Sequence, residues 1–353
     1  PAASWKVVGN ARFSDGDIAT PSIAIDGSGV PYVVYQDFTS YGATAMKFIG
    51  SNWVVVGDPS YPNFSPDSAG YTSIAIYSGV PYVVFGDNTL NGGVRGKATV
   101  MKYNGNWDVV GNQSFSAGQA DYTSIAINGS GEPYVVYKDF GTSSKATVMK
   151  FEGGNWVAVG GSPGISAGQA DYTAIAIDGS GTLYVVYEDY TKSRKATVMK
   201  YNGTWDEVAS STPVSAGVVQ YTSIAIDRSG VPYVVYKDWN DSGKATVMKF
   251  DGSKWVPVGG ATGISAGEVE YTSIAIDGSG TPYVVYQDYA NGNKATVMKF
   301  DGSKWVPVGG TPGISAGEIS YTSIAIDGSG VPYVVYGDSD GSEYKATVMK
   351  YAR

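Results

Sequence analysis

Residues 122–160 read YTSIAINGSGEPYVVYKDFGTSSKATVMKFEGGNWVAVG, four short apolar runs separated by turn residues. The runs are YTSIAIN, PYVVYKD, KATVMKF and NWVAVG, and we call them runs a, b, c and d in chain order. Short runs rich in β-branched and aromatic residues are typical of strands, and Gly-Ser-Gly or Glu-Gly-Gly-Asn between them is typical of tight turns. The stretch therefore predicts four antiparallel strands and no helix.

This four-run unit repeats along the chain. All 7 methionines fall at one position of run c, and run d carries a tryptophan in each unit. The run-d tryptophans are Trp5, Trp53, Trp107, Trp156, Trp205, Trp255 and Trp305. A period of about 50 residues built from four strands is typical of a β-propeller blade. Blades pack face to face, which explains why PYVVY in run b is apolar throughout instead of alternating.

The two ends of the chain complement each other. The last unit ends at KATVMKY with runs a, b and c only, and the chain begins with SWKVVG, a lone run d. A closed ring needs this arrangement because it removes exposed sheet edges. We therefore predict an all-β, seven-bladed β-propeller with four antiparallel strands per blade. Residues 1–353 form a single domain in this prediction, and residues 4–9 complete the blade formed by 321–351.

Runs a and b also carry a family resemblance. They read SIAIDGSGVPYVVYQD at 22–37 and SIAIDGSGVPYVVYGD at 323–338. This pattern resembles the NHL repeat and related bacterial β-propeller repeats, in which an IAVD-type strand, a Gly-containing turn and a YVAD-type strand form the core of a blade. The Pro before YVV and the KATVMK and KWVPVG runs depart from that pattern. The resemblance implies the fold, but the family includes RNA binders, protein-interaction modules and a few enzymes, so it implies no single function.

The composition and the net charge limit which classes of partner the protein can bind. The net charge is −8 and the pI is about 4.6, so the surface should repel phosphate backbones, and we predict no nucleic-acid partner. No apolar run approaches the length of a membrane helix, so we expect no membrane insertion. The start at PAASW, directly at a strand, indicates a mature or trimmed N-terminus. We predict an extracellular, secreted or cell-surface protein.

The chain contains no Cys and no His. Without His it lacks the usual general base, the Ser-His-Asp triad and His-based zinc sites. DSDGSE at 338–343 loosely resembles a calcium loop but lacks the full spacing, and we interpret it as an acidic turn. The carboxylates recur at equivalent positions, which suits structure or repeated binding better than one active site. We therefore predict no enzyme, no cofactor and no metal, with a carboxylate-based glycosidase or lyase as an alternative.

Long connections and an aromatic position point to one face of the ring. The d–a connections, such as GGTPGISAGEIS between Trp305 and Tyr321, should lie on the same face as the b–c hairpins. The residue after the Asp that closes run b is aromatic in five of seven repeats. These residues are Phe38, Phe140, Tyr190, Trp239 and Tyr289. Exposed rings would form platforms for sugars, whereas rings folded onto a neighbouring loop would be structural.

We predict that these five rings bind ligand together with Asp189, Asp238 and Asp288. Each Asp closes run b opposite the Lys that opens run c, so a cross-strand ion pair or a turn hydrogen bond would also explain it. A Tyr opens run a in six repeats and has an alternative explanation as inter-blade packing. The secondary candidates are Tyr122, Tyr172, Tyr221, Tyr271 and Tyr321. The first repeat has Thr20 at this position.

The repetition of these positions favours a multivalent, lectin-like glycan-binding module, because several weak equivalent sites gain avidity. The alternative partner is a surface protein, in which case the ring is a protein-interaction or surface-assembly module. The sequence gives no indication of the oligomeric state.

Overall fold

The computed structural model describes residues 2–89 and 93–352. This part of the chain forms 28 strands and four short 3₁₀ turns, arranged as seven four-stranded antiparallel sheets. The predicted all-β, seven-bladed propeller is confirmed. Within the same residues, no helix is long and apolar enough to cross a membrane.

The strands of each blade follow the chain from the axis outward. Blade 1 contains β2 (Ile18–Ile25), β3 (Pro31–Asp37), β4 (Ala43–Ile49) and β5 (Asn52–Val55). Blade 2 contains β6 (Ala69–Tyr77), β7 (Val80–Asp87), β8 (Lys97–Tyr103) and β9 (Trp107–Val109). Blade 3 contains β10 (Ala120–Ile127), β11 (Pro133–Asp139), β12 (Lys145–Glu152) and β13 (Asn155–Ala158). Blade 4 contains β14 (Ala170–Ile177), β15 (Leu183–Asp189), β16 (Lys195–Tyr201) and β17 (Trp205–Glu207).

The remaining blades repeat this order. Blade 5 contains β18 (Val219–Ile226), β19 (Pro232–Asp238), β20 (Lys244–Phe250) and β21 (Trp255–Pro257). Blade 6 contains β22 (Val269–Ile276), β23 (Pro282–Asp288), β24 (Lys294–Phe300) and β25 (Trp305–Pro307). Blade 7 contains β26 (Ile319–Ile326), β27 (Pro332–Ser339), β28 (Tyr344–Ala352) and, from the other end of the chain, β1 (Ser4–Val7). The 3₁₀ turns are Phe140–Thr142, Tyr190–Lys192, Trp239–Asp241 and Tyr289–Asn291.

The hydrophobic core lies between the blades. Val185 and Val186 are consecutive residues of β15, so their side chains point to opposite faces of the sheet. Both are fully buried, Val185 against blade 3 and Val186 against blade 5. The continuous apolar run b is therefore the strand that two inter-blade cores share.

A repeated hydrogen bond joins each blade to the one before it. The indole Nε1 of Trp205 in blade 4 donates to the carbonyl oxygen of Val159, which follows β13 of blade 3, at 2.9 Å. All seven run-d tryptophans make the equivalent bond: Trp5, Trp53, Trp107, Trp156, Trp205, Trp255 and Trp305. The eighth tryptophan, Trp239, lies outside this set of joints.

The N-terminal segment closes the ring as predicted. β1 pairs with β28 in antiparallel register from Ser4 opposite Ala352 to Val7 opposite Met349. Trp5 Nε1 donates to the Val308 carbonyl at 2.8 Å, so the last joint uses the same bond as the others. Beyond β1, the Ser14 hydroxyl accepts the Ala346 N–H at 3.0 Å. The first and last segments are thus held by the contacts that hold every other blade.

Candidate ligand-binding face

The b–c hairpins and the d–a loops meet on one face of the ring, which we call the loop-rich face. In blade 5, for example, the backbone N–H of Trp239 at the hairpin tip donates to the Val218 carbonyl in the preceding d–a loop at 3.1 Å. The opposite face carries the a–b and c–d turns. These are tight: Asp277 Oδ1 accepts the N–H groups of Ser279 and Thr281 at 2.8 and 2.9 Å. The loop-rich face therefore carries the longer connections of the ring.

The Asp that closes run b is a structural residue. Asp189 and Asp238 are 2% exposed and Asp288 is 1% exposed. Asp238 Oδ1 accepts the Asn240 N–H at 3.0 Å and caps the 3₁₀ turn, and its Oδ2 accepts from the Thr246 hydroxyl at 3.2 Å. Burial raises the pKa of Asp238. Our prediction of Asp189, Asp238 and Asp288 as ligand contacts is therefore corrected: these carboxylates lie beneath the surface and hold the hairpin.

The aromatic residue after this Asp has the opposite environment. The five side chains are among the most exposed large apolar groups, with exposed fractions of 38–46%. They are Phe38, Phe140, Tyr190, Trp239 and Tyr289. Four of them begin the 3₁₀ turns, which fixes the backbone under each ring. The turns therefore place aromatic side chains at equivalent points of the loop-rich face.

The Tyr that opens run a adopts an unusual backbone. Tyr71, Tyr122, Tyr172, Tyr221, Tyr271 and Tyr321 have φ between 51° and 53°, in the left-handed region, and Thr20 has φ 45°. Each lies in a β-bulge, where the register of runs a and b shifts. A non-glycine residue in this conformation costs about 1–2 kcal/mol. The next blade offsets the cost: the Thr173 hydroxyl, for example, donates to the Tyr122 carbonyl at 2.7 Å.

The rings of these six tyrosines contact one another in tilted pairs around the mouth of the central channel. Neighbouring ring centroids are 4.6–5.1 Å apart, and the arc is open at Thr20. Burial, with the negative charges of Glu188 and Asp171, raises the pKa of Tyr172 to about 12. Below the arc, Ser and Thr side chains line a channel cavity of about 240 Å³. The tyrosine rings therefore contact one another across the blade junctions, and their role as secondary ligand contacts stays a prediction.

Polar side chains fill the space between the tyrosine arc and the outer aromatic rings. Lys138 Nζ lies 2.6 Å from Asp171 Oδ1 and 5.0 Å from the centroid of the Phe140 ring. Lys237 Nζ lies 2.6 Å from Glu268 Oε1 and 4.3 Å from the centroid of Trp239. The sequence did not single out these residues, because they come from the variable position before the closing Asp of run b and from the few residues that precede the run-a tyrosine of the next blade.

Glu188 is a buried carboxyl group of this face with a strongly raised pKa. Its side chain is fully buried, and its Oε1 accepts from Arg194 Nε at 2.6 Å. Burial raises the pKa of Glu188 to about 7, although Arg194 opposes the shift. The sequence carried a signal for this residue, since Glu188 stands where blades 3 and 5 have Lys138 and Lys237.

The d–a loops that contain a Ser-Ala-Gly segment, such as residues 265–267, have a structural role of their own. Ser265 Oγ accepts the Ala245 N–H at 3.0 Å and donates to the Gly267 carbonyl at 2.7 Å, and equivalent serines act in the same way in the other blades. These loops therefore brace the hairpins that carry the aromatic rings.

In residues 2–89 and 93–352, no group of three or more acidic, His or Cys side chains is placed to hold a metal ion.

Comparison with known proteins relates the chain to others through its fold. No protein-family profile and no curated protein matches it. A lectin from Burkholderia pseudomallei is 13% identical with a TM-score of 0.64, over 92% of this chain and 94% of that one. An ulvan lyase bound to -[GlcA(1-4)Rha3S]- is 12% identical with a TM-score of 0.61, over 95% and 94%. A mutant Aleuria aurantia lectin in complex with Fucalpha1-6GlcNAc is 14% identical with a TM-score of 0.54, over 86% and 99%.

The likeness is one of fold. At these identities the matches support a β-propeller whose structural neighbours include both lectins and a polysaccharide lyase. The resemblance of the repeats to the NHL family stays a prediction.

Proposed function

We propose that the chain is a secreted or cell-surface glycan-binding module without enzymatic activity. The observation that carries the proposal is the set of five aromatic side chains, 38–46% exposed, at equivalent points of the loop-rich face. A sugar ring presents C–H groups that stack on such a surface, while its hydroxyl groups need polar partners nearby. The lectins among the structural neighbours add support.

Polar partners lie beside the rings. The Trp239 indole donates to Gln220 Oε1 at 2.9 Å, and the Tyr190 hydroxyl donates to Asp171 Oδ2 at 3.2 Å. These contacts orient each ring and leave amide and carboxylate oxygens at its edge. A sugar stacked on the ring would find acceptors for its hydroxyl groups there. Because exposed rings recur around the face, a branched or polymeric glycan could engage several sites together.

A glycan-array screen of the purified protein tests the proposal directly. Reproducible binding to a defined class of glycan is the expected result, and an array without any bound glycan would contradict it. Fluorescence can then follow the interaction, because seven of the eight tryptophans lie in the inter-blade joints and Trp239 is 46% exposed. A bound sugar should therefore change mainly the emission of Trp239.

The substitution Trp239→Ala should weaken binding only modestly. One aromatic contact contributes about 1 kcal/mol, or roughly a fivefold change in the dissociation constant, and the other rings remain. Isothermal titration calorimetry with the best array ligand measures the effect. Trp239→Phe is the matched control, because it keeps a flat platform and removes the indole. We expect the control to retain affinity while losing the fluorescence response, and a control as weak as Trp239→Ala would argue against stacking.

The alternative function is a carboxylate-based lyase or glycosidase, which the raised pKa of Glu188 and the ulvan lyase among the neighbours favour. Against it, the Glu188 side chain has no exposed surface and is held by Arg194. A catalytic carboxyl group must reach the substrate. We therefore expect no turnover of polysaccharides, including ulvan, in reducing-end and unsaturated-product assays. Sustained turnover in the wild type that Glu188→Gln abolishes would overturn the non-enzymatic proposal.

A further inference from the structure

Two blade junctions of the loop-rich face each hold an ammonium group between a carboxylate and an aromatic ring, with the carboxylates at different positions: Asp171 directly precedes the run-a tyrosine, and Glu268 stands three residues before it. At the junction of blades 3 and 4, Lys138 Nζ lies between Asp171 and the ring of Phe140. At the junction of blades 5 and 6, Lys237 Nζ lies between Glu268 and the rings of Trp239 and Tyr289, at 4.3 and 6.0 Å from their centroids. A carboxylate at one side and an aromatic face at the other is a favourable site for a cation.

The junction of blades 6 and 7 has the carboxylate and the ring but lacks the cation. Gln287 stands at the position of Lys237, and Glu318 stands at the position of Glu268. Gln287 is 6% exposed, and its amide Nε2 donates to the Ile319 carbonyl at 2.5 Å. In the described part of the chain, Glu318 forms no ion pair within 4 Å, and its carboxylate accepts hydrogen bonds only from the Asn293 amide and the Tyr344 hydroxyl, at 3.4 and 3.5 Å.

A cavity of about 440 Å³ occupies this junction and reaches blade 1. Its walls include Asp17, Glu270 and Glu318, the rings of Tyr289 and Tyr344, and no Lys or Arg. The cavity is open partly because a small residue, Ser320, stands where blade 6 has Glu270. The Ser320 hydroxyl oxygen is buried and has no hydrogen-bond partner among the described residues.

We propose that this cavity binds an amino sugar through its protonated amine, with the ammonium group between Glu318 and Tyr289. The proposal rests on the glycan-binding function argued above and names the sugar class for this part of the face. The ligand ammonium would occupy the place that Lys237 fills one junction away. The sugar ring would lie against Tyr289 and Tyr344, and its hydroxyl groups would meet the polar side chains that line the cavity.

The electrostatics of the cavity agree with this assignment. Burial raises the pKa of Tyr289 to about 12, with further contributions from a hydrogen bond to Glu270 and from the charges of Glu268 and Glu318. In the described residues, the only cation within 4 Å of these carboxylates is Lys237, 3.8 Å from Glu270 and already paired with Glu268. A cationic ligand would thus neutralise charge that the protein leaves uncompensated.

The test compares two tetrasaccharides that differ only in the amine: β-1,4-linked glucosamine and its N-acetylated form. At about pH 5.5, well below the pKa of an amine, calorimetry should show at least a roughly tenfold preference of the wild type for the free amine. Glu318→Gln should remove most of that preference. Gln287→Lys should remove it as well, because the new ammonium group would pair with Glu318 and occupy the site.

Glu268→Gln is the matched control, because it changes the same residue type at the equivalent position of the neighbouring junction and alters the net charge equally. We expect it to keep the preference, with the melting temperature of every variant recorded. Equal losses in Glu318→Gln and Glu268→Gln would show general charge attraction and overturn the proposal, as would a wild type that binds both tetrasaccharides alike. If the protein binds neither of them nor any glycan on the array, the proposed function itself fails.

Discussion

Deletion of residues 1–9 will lower the free energy of unfolding by about 4 kcal/mol or more, or make the protein aggregate. The deletion removes β1, the Trp5 joint to Val308 and the bond from the Val8 N–H to the Val348 carbonyl. It also exposes the edge of β28, and an unpaired edge strand is a template for pairing with other chains. Differential scanning calorimetry and light scattering measure the two effects.

A permuted chain provides the control. Residues 10–353, followed by a short Gly-Ser turn and residues 4–9, keep the strand but supply it as the fourth strand of a continuous hairpin, as in the other six blades. We expect this permutant to regain most of the lost stability. A deletion variant that melts at the wild-type temperature without aggregating would show that the ring does not depend on β1.

The combined variant Tyr190→Ala, Trp239→Ala and Tyr289→Ala will nearly abolish glycan binding, with a loss of affinity above about 100-fold. Three stacking surfaces disappear together, so the remaining sites can no longer compensate by avidity. The fold should persist, because the three side chains are 38–46% exposed and the buried Asp residues beneath them, which accept hydrogen bonds from the Thr hydroxyls of run c, are unchanged. Glycan-array intensity and calorimetry measure the loss, and the melting temperature reports the fold.

Replacing the same three residues by Phe gives the matched control. Phe keeps the apolar platform and removes the indole N–H and the hydroxyl groups, so it separates stacking from hydrogen bonding. We expect this control to retain most of the affinity. If the alanine variant instead melts well below the wild type, the rings are structural. If it keeps both its stability and its ligand, the binding site lies elsewhere on the ring.

The fold could be predicted from the sequence because each blade repeats the same few determinants. The run-d tryptophans gave the period and the blade count, and the structure places each of them in an equivalent joint. The lone SWKVVG run likewise predicted closure by β1. A residue that does the same work in every unit leaves a visible periodic pattern, so a single chain is sufficient to find it.

The candidate site was only partly predictable. The exposed rings were found because five hairpins share them, but the role of Asp238 depended on a choice between a turn hydrogen bond and a ligand contact, and its burial decides for the former. The junction of blades 6 and 7 was not predicted. It depends on Gln287 facing Glu318 where the neighbouring blade has Lys237 facing Glu268, and which residues meet across a junction follows only from the packing of blades.

The pairing of β1 with β28 also sets the order of events during synthesis. Residues 4–7 leave the ribosome long before their partners in Tyr344–Ala352, by on the order of tens of seconds at ordinary elongation rates. Blades can form one after another in that interval, but the β1 segment stays unpaired and one side of blade 1 stays uncovered until blade 7 emerges. The nascent ring is therefore an open arc with two unfinished ends for most of its assembly. During that period β1 can most easily pair with a second chain instead of its own blade 7. The unfinished arc therefore depends most on chaperones at this stage.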